Sequence, residues 1–512
     1  MLALTYGCSV YGVDANLITI EVNVTQGTKF FMVGLPDNAV KESQQRVESA
    51  IKHLGYHFPR QKVIVNLAPA DVRKEGSAYD LPIALSILAA SGQFPATSLD
   101  KYIILGELSL DGKLRPIKGV LPIAIEARKR GLKGFILPKQ NASEAAIVNE
   151  LDVIGVDNLE EAISHLNGQK IIEPLVKDTR DIFDYEQDHF EVDFSDVQGH
   201  ENVKRALEVS AAGGHNVIMV GPPGSGKTML ARRLQTILPP MSLHEALETT
   251  KIHSVAGKLK ENSSLVAHRA FCSPHHTSSS VSLVGGGGIP QPGQISLAHN
   301  GILFLDELPE FKREVLEVLR QPLEERVVTI SRAKATVQFP ANFMLVASMN
   351  PSPSGDFYRN DGTHPDSLNA VQRYLSKVSG PLLDRIDLHI EVNPISFDKM
   401  TAEEKTESSE HIRKRVIAAR KIQEERFQDS GIHANAMMPT NIVKKVCKLD
   451  QVSKVLLKTA MERLNLSSRA YDRILKVART IADLGQSENI KPEHIAEAIQ
   501  YRSLDREGWG VN

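Results

Sequence analysis

The stretch NVIMVGPPGSGKT, residues 216 to 228, runs an apolar segment straight into a glycine-rich turn that ends on lysine and threonine. A chain that does this must end a buried strand, reverse its backbone and start a helix within a few residues. The backbone N–H groups of the turn then face one point, and the helix that follows adds its positive N-terminal end, which together make an anion site. Gly221, Gly224 and Gly226 let the loop curl, with Pro222, Pro223 and Ser225 completing the GxxxxGK[ST] spacing. In that spacing Lys227 reaches the outer phosphates of a nucleotide and Thr228 offers a hydroxyl to Mg²⁺, so ATP and Mg²⁺ are the expected ligands.

Further along, GILFLDEL ends an apolar run on Asp306 and Glu307. The first carboxylate stands where it can bind the metal's water shell, and the second where it can polarise an attacking water. The run NFMLVASMN closes on Asn350, whose neutral amide is placed to orient the same water, and SGPLLDRIDL carries Arg385 between two aspartates.

These motifs sit in a chain of several parts. Residues 1–168 alternate β-rich runs (LITIEVNV, KVIVNLA, KYIILGEL, GFILP) with helical patterns, as an α+β or α/β domain does. Residues 169–194 are acidic, lack a clear period and read as a linker. Residues 195–400 carry the nucleotide motifs on apolar runs suited to a parallel sheet. Residues 401–512 show helical periods only, among them SRAYDRILKVARTIADL and KPEHIAEAIQYR, so a small all-α domain is expected there. The fold class is therefore multidomain α/β.

Composition narrows the partners and the compartment. A formal net charge of -2 gives no global positive field, so any nucleic-acid contact must come from a local basic patch. The three cysteines, Cys8, Cys272 and Cys447, are too far apart for CxxC pairs or a disulfide framework, which fits a reducing cytoplasm. No apolar run reaches the roughly 20 residues of a membrane span, and no basic, apolar leader opens the sequence. Neither an anchor nor a signal peptide is expected.

The order of strand, P-loop, Asp-Glu pair, polar strand end and LLDR resembles the AAA+ ATPases, most closely their magnesium-chelatase and MCM-like branch. The resemblance implies that Arg385 reaches a neighbouring subunit's ATP as a trans arginine finger. It also implies a closed ring, a hexamer, in which each site is completed by the next protomer. Arg469, in LNLSSRAYDRIL, resembles the second-sensor arginine of the helical lid, with Arg473 as its rival. The segment ERVVTISRAKATVQFPANF reads as a hairpin with Arg332 and Lys334 near its tip. In that branch such a hairpin projects into the pore, where six copies would grip DNA phosphates. The insertion Ala270–Gly301 is rich in Gly, Ser and Pro and resembles the branch's pore-facing loop, for which flexibility is the expectation. Cys272, His275 and His276 within it invite a metal reading, but adjacent histidines diverge and no fourth ligand stands out.

KEGSAYDLPIALSILAASG with GELSLDGKLRPIKGVLPIAIEARKRG resembles the Lon-protease-type domain. In that family's spacing the nucleophilic serine falls on Ala78 and the lysine on Leu121, with Ser77 and Lys118 only nearby, so both groups of the dyad are missing. An N-terminal Lon-like domain, a chelatase-like AAA+ module and a helical lid, with PHHT, GQISLAHNGILFLDELPEF and SGPLLDRIDL in order, resemble the YifB/ComM family. That resemblance implies a hexameric ATPase driving branch migration of DNA during recombination and natural transformation, with a recombinase as a possible partner. Ser352 and Ser354 stand where many relatives carry cysteines, which argues against a zinc-stapled loop here. Two other readings share the module: a metal-chelatase-type ATPase subunit, and a scaffold whose assembly is switched by nucleotide.

Overall fold

The computed structural model describes residues 2–95, 98–178, 183, 190–259, 265–288, 290–332, 335–355, 366–395, 406–428, 430–464, 466–502 and 504. They form two compact units, one of Met1–Gln187 with Leu243–Ala267, the other of Asp188–Ser242 with His268–Asn512.

The first unit is built on a seven-stranded sheet. Its strands are β1 (Leu2–Tyr11), β2 (Asp14–Thr25), β3 (Phe30–Val33), β4 (Lys62–Ala68), β5 (Tyr102–Ile104), β6 (Gly134–Pro138) and β7 (Asp152–Val156), in the spatial order β3-β4-β2-β1-β5-β6-β7. β1, β2 and β4 pair antiparallel and the remaining neighbours parallel. Strand β2 buries alternate residues, Ile18, Ile20, Val22 and Val24, as a sheet with one covered face requires. Helix α1 (Asn38–His53) starts where Asp37 accepts the Val40 N–H at 2.8 Å, and buries Val40, Val47, Ala50 and Ile51 on one face. Helix α2 (Asp80–Ala90) is apolar all round and wholly buried. Its one acid, Asp80, is held by a two-pronged contact from Arg46, at 2.6 and 3.0 Å. Helix α3 (Val120–Lys129) packs on a helix from far along the chain, Leu243–Ala256: Gly119 N–H donates to Ser254 O at 3.1 Å, and Glu144 receives both Leu121 N–H and the Ser254 hydroxyl.

The second unit opens with α4 (Glu201–Gly213) and contains a five-stranded parallel sheet. Strands β8 (Val217–Val220), β9 (Phe271–Cys272), β10 (Ile302–Leu305), β11 (Val327–Arg332), β12 (Ala335–Pro340), β13 (Met344–Met349) and β14 (Leu388–Glu391) follow in sequence. The parallel sheet runs β9-β10-β13-β8-β14, while β11 and β12 form a separate antiparallel hairpin in the register Val327↔Pro340 to Arg332↔Ala335. Every residue of β8, β10 and β13 is buried, which is why these strands read as unbroken apolar runs rather than alternating ones. This arrangement is the parallel α/β architecture that the apolar runs of residues 195–400 lead one to expect. Helix α5 (Lys227–Ile237) starts directly after the glycine-rich turn. The hairpin predicted around SRAKA is present, but Lys334 and the Arg332 side chain lie outside the described residues. The insertion before β10 is more ordered than its composition suggests, since Leu283 and Ile295 within it are fully buried.

Beyond β14 the described residues are helical: α6 (Ser409–Arg426), α7 (Gln451–Arg463), α8 (Ser468–Leu484) and α9 (Pro492–Gln500), which begins on the first-turn proline. Helix α8 buries Ile474, Leu475, Val477, Ala478 and Ile481 in the core of the second unit. No described helix is long and apolar enough to cross a membrane.

Buried polar groups join the helical part to the sheet. His215 meets Thr480 of α8 at 2.8 Å and Asp387 at 3.4 Å, and Arg473 of α8 donates to Asp387 at 2.8 Å. Burial alone would push the Asp387 carboxyl up, but Arg473 and His215 outweigh it and hold the group well below the usual carboxylate range. Burial drives the imidazoles of His215 and His389 the other way, His389 well below its ordinary value with Arg502 adding to the effect.

Both rings take up a proton at lower pH in the fold than in the unfolded chain, which protonates them near pH 6.5, so stability falls as pH drops below that value, by at most about 1.4 kcal/mol per histidine per pH unit. The urea midpoint is expected to decrease between pH 7.5 and 5.5, and His389→Leu to flatten that decrease. An equal slope in the variant would exclude His389 as its source.

Candidate functional site

Strand β8 delivers the chain into the turn Gly221–Gly226, and α5 carries it away. Gly224 and Gly226 take φ values of +78° and +86°, which side chains disfavour. At Gly221 the need is space, since a Cβ there would come within 2.1 Å of Val392 O. The Lys227 ammonium donates to Gly221 O at 2.6 Å, Pro222 O at 2.8 Å and Asn350 Oδ1 at 3.3 Å. Burial lowers its pKa, opposed by the charges of Asp306 and Glu307. The Thr228 hydroxyl donates to Asp306 Oδ2 at 2.9 Å. Strands β8, β10 and β13 thus bring Lys227, Thr228, Asp306 and Asn350, far apart in sequence, together beyond the C-terminal ends of the parallel strands.

A hydroxyl and a carboxylate oxygen side by side are the hard donors that suit Mg²⁺, so Thr228 and Asp306 fit the expected metal. Glu307 follows in a left-handed conformation at φ +53°. Its N–H points at Asp306 Oδ1 at 3.1 Å and at the Ser348 hydroxyl at 3.3 Å, while its side chain is 53% exposed. Ser348 also donates to Asp306. Sequence reasoning missed this serine, although one hydroxyl in the otherwise apolar run MLVASM was a signal. His200 was missed as well: its ring stands about 3.8 Å from where a Cβ at Gly226 would be.

Arg385 is not in this cluster. It is buried beside the C-terminal end of its short helix, donating to Pro381 O at 2.6 Å and pairing with Glu324, whose side chain is 56% exposed. Its carbonyl accepts from Asn216 Nδ2 at 3.1 Å, which fixes the backbone to the sheet. Arg473 and Arg469, both on α8, differ. Arg473 is engaged by the buried Asp387 and is 23% exposed, whereas Arg469 is 63% exposed with only a 3.5 Å contact to Asp384.

The Ser77 hydroxyl donates to Glu107, and the Lys118 stem lies against Gly257, so no described contact joins Ser77 to Lys118. Ala78 and Leu121 serve packing and backbone pairing, Leu121 being fully buried. Ser352 and Ser354 meet each other at 3.0 Å. Cys272, His275 and His276 do not converge, and among the described residues no group of three or more His, Cys, Asp or Glu is placed to hold a metal.

Comparison with known proteins fits this geometry. The family model described as magnesium chelatase, subunit ChlI, matches residues 193–400. Models for subunit ChlI of Mg-chelatase and for the ChlI C-terminal part match residues 20–141 and 406–502. Competence protein ComM of Haemophilus influenzae is 44% identical over 511 residues, 99% of this chain and 98% of that protein. The uncharacterized protein YifB of Escherichia coli K12 is 44% identical over 510 residues, with the same coverage. Lon protease 2 of Bacillus subtilis is 31% identical over 186 residues, spanning 31% of this chain and 33% of its own.

Proposed function

Since the chain belongs to the YifB/ComM family, whose magnesium-chelatase-like module is that of an AAA+ ATPase, we propose that it is a ring-forming motor coupling ATP hydrolysis to movement on DNA. The activity we assign is branch migration during recombination or natural transformation. The observation that carries the reading is the convergence of Lys227, Thr228, Asp306 and Asn350 at the C-terminal ends of the parallel strands.

In this mechanism the turn amides and Lys227 bind the phosphates of ATP. Thr228 and Asp306 would hold Mg²⁺, which would neutralise charge on the phosphates. Glu307 takes the proton of the attacking water, and Asn350 orients that water. Arg385 of the adjacent protomer stabilises the charge that develops on the transferred group, and Arg469 senses the γ-phosphate from the lid. Six protomers complete one another's sites in a hexamer. Arg332 and Lys334 at the hairpin tip grip the DNA backbone through a salt-sensitive contact. The N-terminal domain, without a serine–lysine dyad at the family's positions, serves assembly or DNA contact rather than proteolysis.

The ComM likeness over 99% of the chain favours this reading over a chelatase subunit. The presence of both Glu307 and Arg385 speaks against a nucleotide-switched scaffold, which needs neither. The test is the ATPase rate with single-stranded, duplex and four-way-junction DNA. DNA is expected to raise the wild-type rate, and Arg332→Ala/Lys334→Ala to remove most of that increase while leaving the DNA-free rate in place. A rate indifferent to every DNA would exclude the motor, and stimulation untouched by the double substitution would exclude the hairpin.

A further inference from the structure

We propose that Arg502 is a positioning residue for Arg385, holding the backbone from which that arginine reaches the neighbouring protomer's ATP. This rests on the reading of Arg385 as a group that acts in trans.

Three consecutive residues at the base of Arg385 are each gripped by a different element. The Arg385 carbonyl accepts from Asn216 Nδ2 at 3.1 Å. The Ile386 carbonyl accepts from Arg502 Nη1 at 2.6 Å, two residues beyond α9. The Asp387 carboxylate accepts from Arg473 of α8 at 2.8 Å. Asn216 leads straight into β8, and its own carbonyl accepts the N–H groups of Asp387 and Leu388, both at 3.0 Å. The segment between the short helix Gly380–Leu383 and β14 is thus fastened to the sheet on one side and to the helical part on the other.

Arg502 is placed for this hold rather than for the surface. It is among the largest fully buried side chains, at 1% exposure. A guanidinium taken out of water is costly unless its N–H groups are used, and here one of them meets the carbonyl next to Arg385. Its backbone is fixed as well. The His389 N–H of β14 donates to Tyr501 O at 2.8 Å, and His389 and Arg502 pair as a parallel bridge, which adds this stretch to the outer strand of the sheet. The Tyr501 hydroxyl donates to Glu497 at 3.0 Å, and Arg205 of α4 holds Glu497 at 2.9 Å.

An apolar residue at 502 would fill the space and leave the Ile386 carbonyl without this donor. The Arg385 side chain must part from Glu324 and cross to another molecule, so an error at its base is magnified at its tip. Misplacement by about 1 Å can lower a rate by about 10²-fold.

The test measures phosphate release by the full chain carrying Arg502→Met, alone and in mixtures, together with its thermal midpoint and its titration with a fluorescent ADP analogue. Methionine keeps much of the buried volume and removes the donor. Alone, the variant is expected to lose about 10- to 100-fold in kcat, with KM for ATP and analogue affinity within about two-fold of wild type. Mixed with Glu307→Gln, which supplies a well-placed Arg385, it is expected to regain turnover. Glu307→Gln is also expected to restore Arg385→Ala, whereas the double variant Arg502→Met/Glu307→Gln is not. Arg502→Lys keeps a donor and is expected to recover part of the rate. If Arg502→Met fails to bind the analogue, Arg502→Gln, whose shorter amide stops short of the Ile386 carbonyl, carries the same expectations. A wild-type kcat in a variant that binds nucleotide normally, or restoration of Arg385→Ala by the double variant as fully as by Glu307→Gln, overturns the proposal. If Glu307→Gln restores Arg385→Ala but not Arg502→Met, the proposal alone fails. If it restores neither, the reading of Arg385 as acting in trans fails and the proposal falls with it.

Discussion

Arg385→Ala protein is expected to turn over ATP about 10³-fold or more slowly than wild type, and to regain turnover when mixed with Glu307→Gln protein. The structure explains why both halves of that result belong together. Within its own chain, the Arg385 guanidinium reaches Pro381 O and Glu324 rather than the cluster around Lys227. Among the described residues its charged partner is Glu324, whose side chain is 56% exposed and returns to water if the guanidinium turns to a neighbour's phosphate. The backbone meanwhile stays fixed through Asn216, which gives the side chain a firm base from which to swing. In a mixed ring, an Arg385→Ala protomer keeps an intact cradle and Glu307, and the Glu307→Gln neighbour supplies the missing arginine. Arg385→Lys keeps the charge but not the planar fork and is expected to recover only part of the rate. The readouts are phosphate release across mixing ratios and the thermal midpoint of each variant. Full activity in Arg385→Ala alone, or no recovery on mixing two folded variants, excludes action in trans.

Glu307→Gln should lower kcat by about 10² to 10⁴ fold while leaving nucleotide affinity near the wild-type value. Glutamine keeps the shape of the side chain but cannot take a proton. The main-chain contacts from Asp306 and Ser348 that set its left-handed conformation do not involve the carboxylate, so the local fold is retained. Loss of binding together with turnover would mean that Glu307 shapes the site instead of acting on water. Phosphate release and titration with a fluorescent ADP analogue separate the two outcomes.

What the sequence reveals about this site follows the physics of each element. Strands buried on both faces write themselves as apolar runs, so VIMV, ILFL and MLVASM could be placed from composition alone, and the glycines at 224 and 226 announce the turn that needs positive φ. Contacts made by single side chains across long separations leave no such trace. The hydroxyl of Ser348, the aim of His276 at Glu307 and the different surroundings of Arg469 and Arg473 depend on how strands and helices stack. Composition also misleads where ordering comes from tight backbone approach. The glycines of the insertion at 285 and 293 admit carbonyl oxygens within 2.2 and 2.3 Å of where a Cβ would sit, which packs the segment instead of loosening it. The pattern of LHEALETTKIHSVA, likewise, says nothing about which core it joins.

That last helix has a practical side. The chain leaves the second unit after Ser242, lends Leu243–Ala267 to the first, and returns at His268, so the two units share three covalent crossings rather than one. A protease nick near residue 188 alone should leave both halves migrating together on a sizing column under native buffer. Conversely, a truncated gene starting near residue 190 would strip Ala246, Ile252 and Val255 of their shelter against the N-terminal core and invite precipitation.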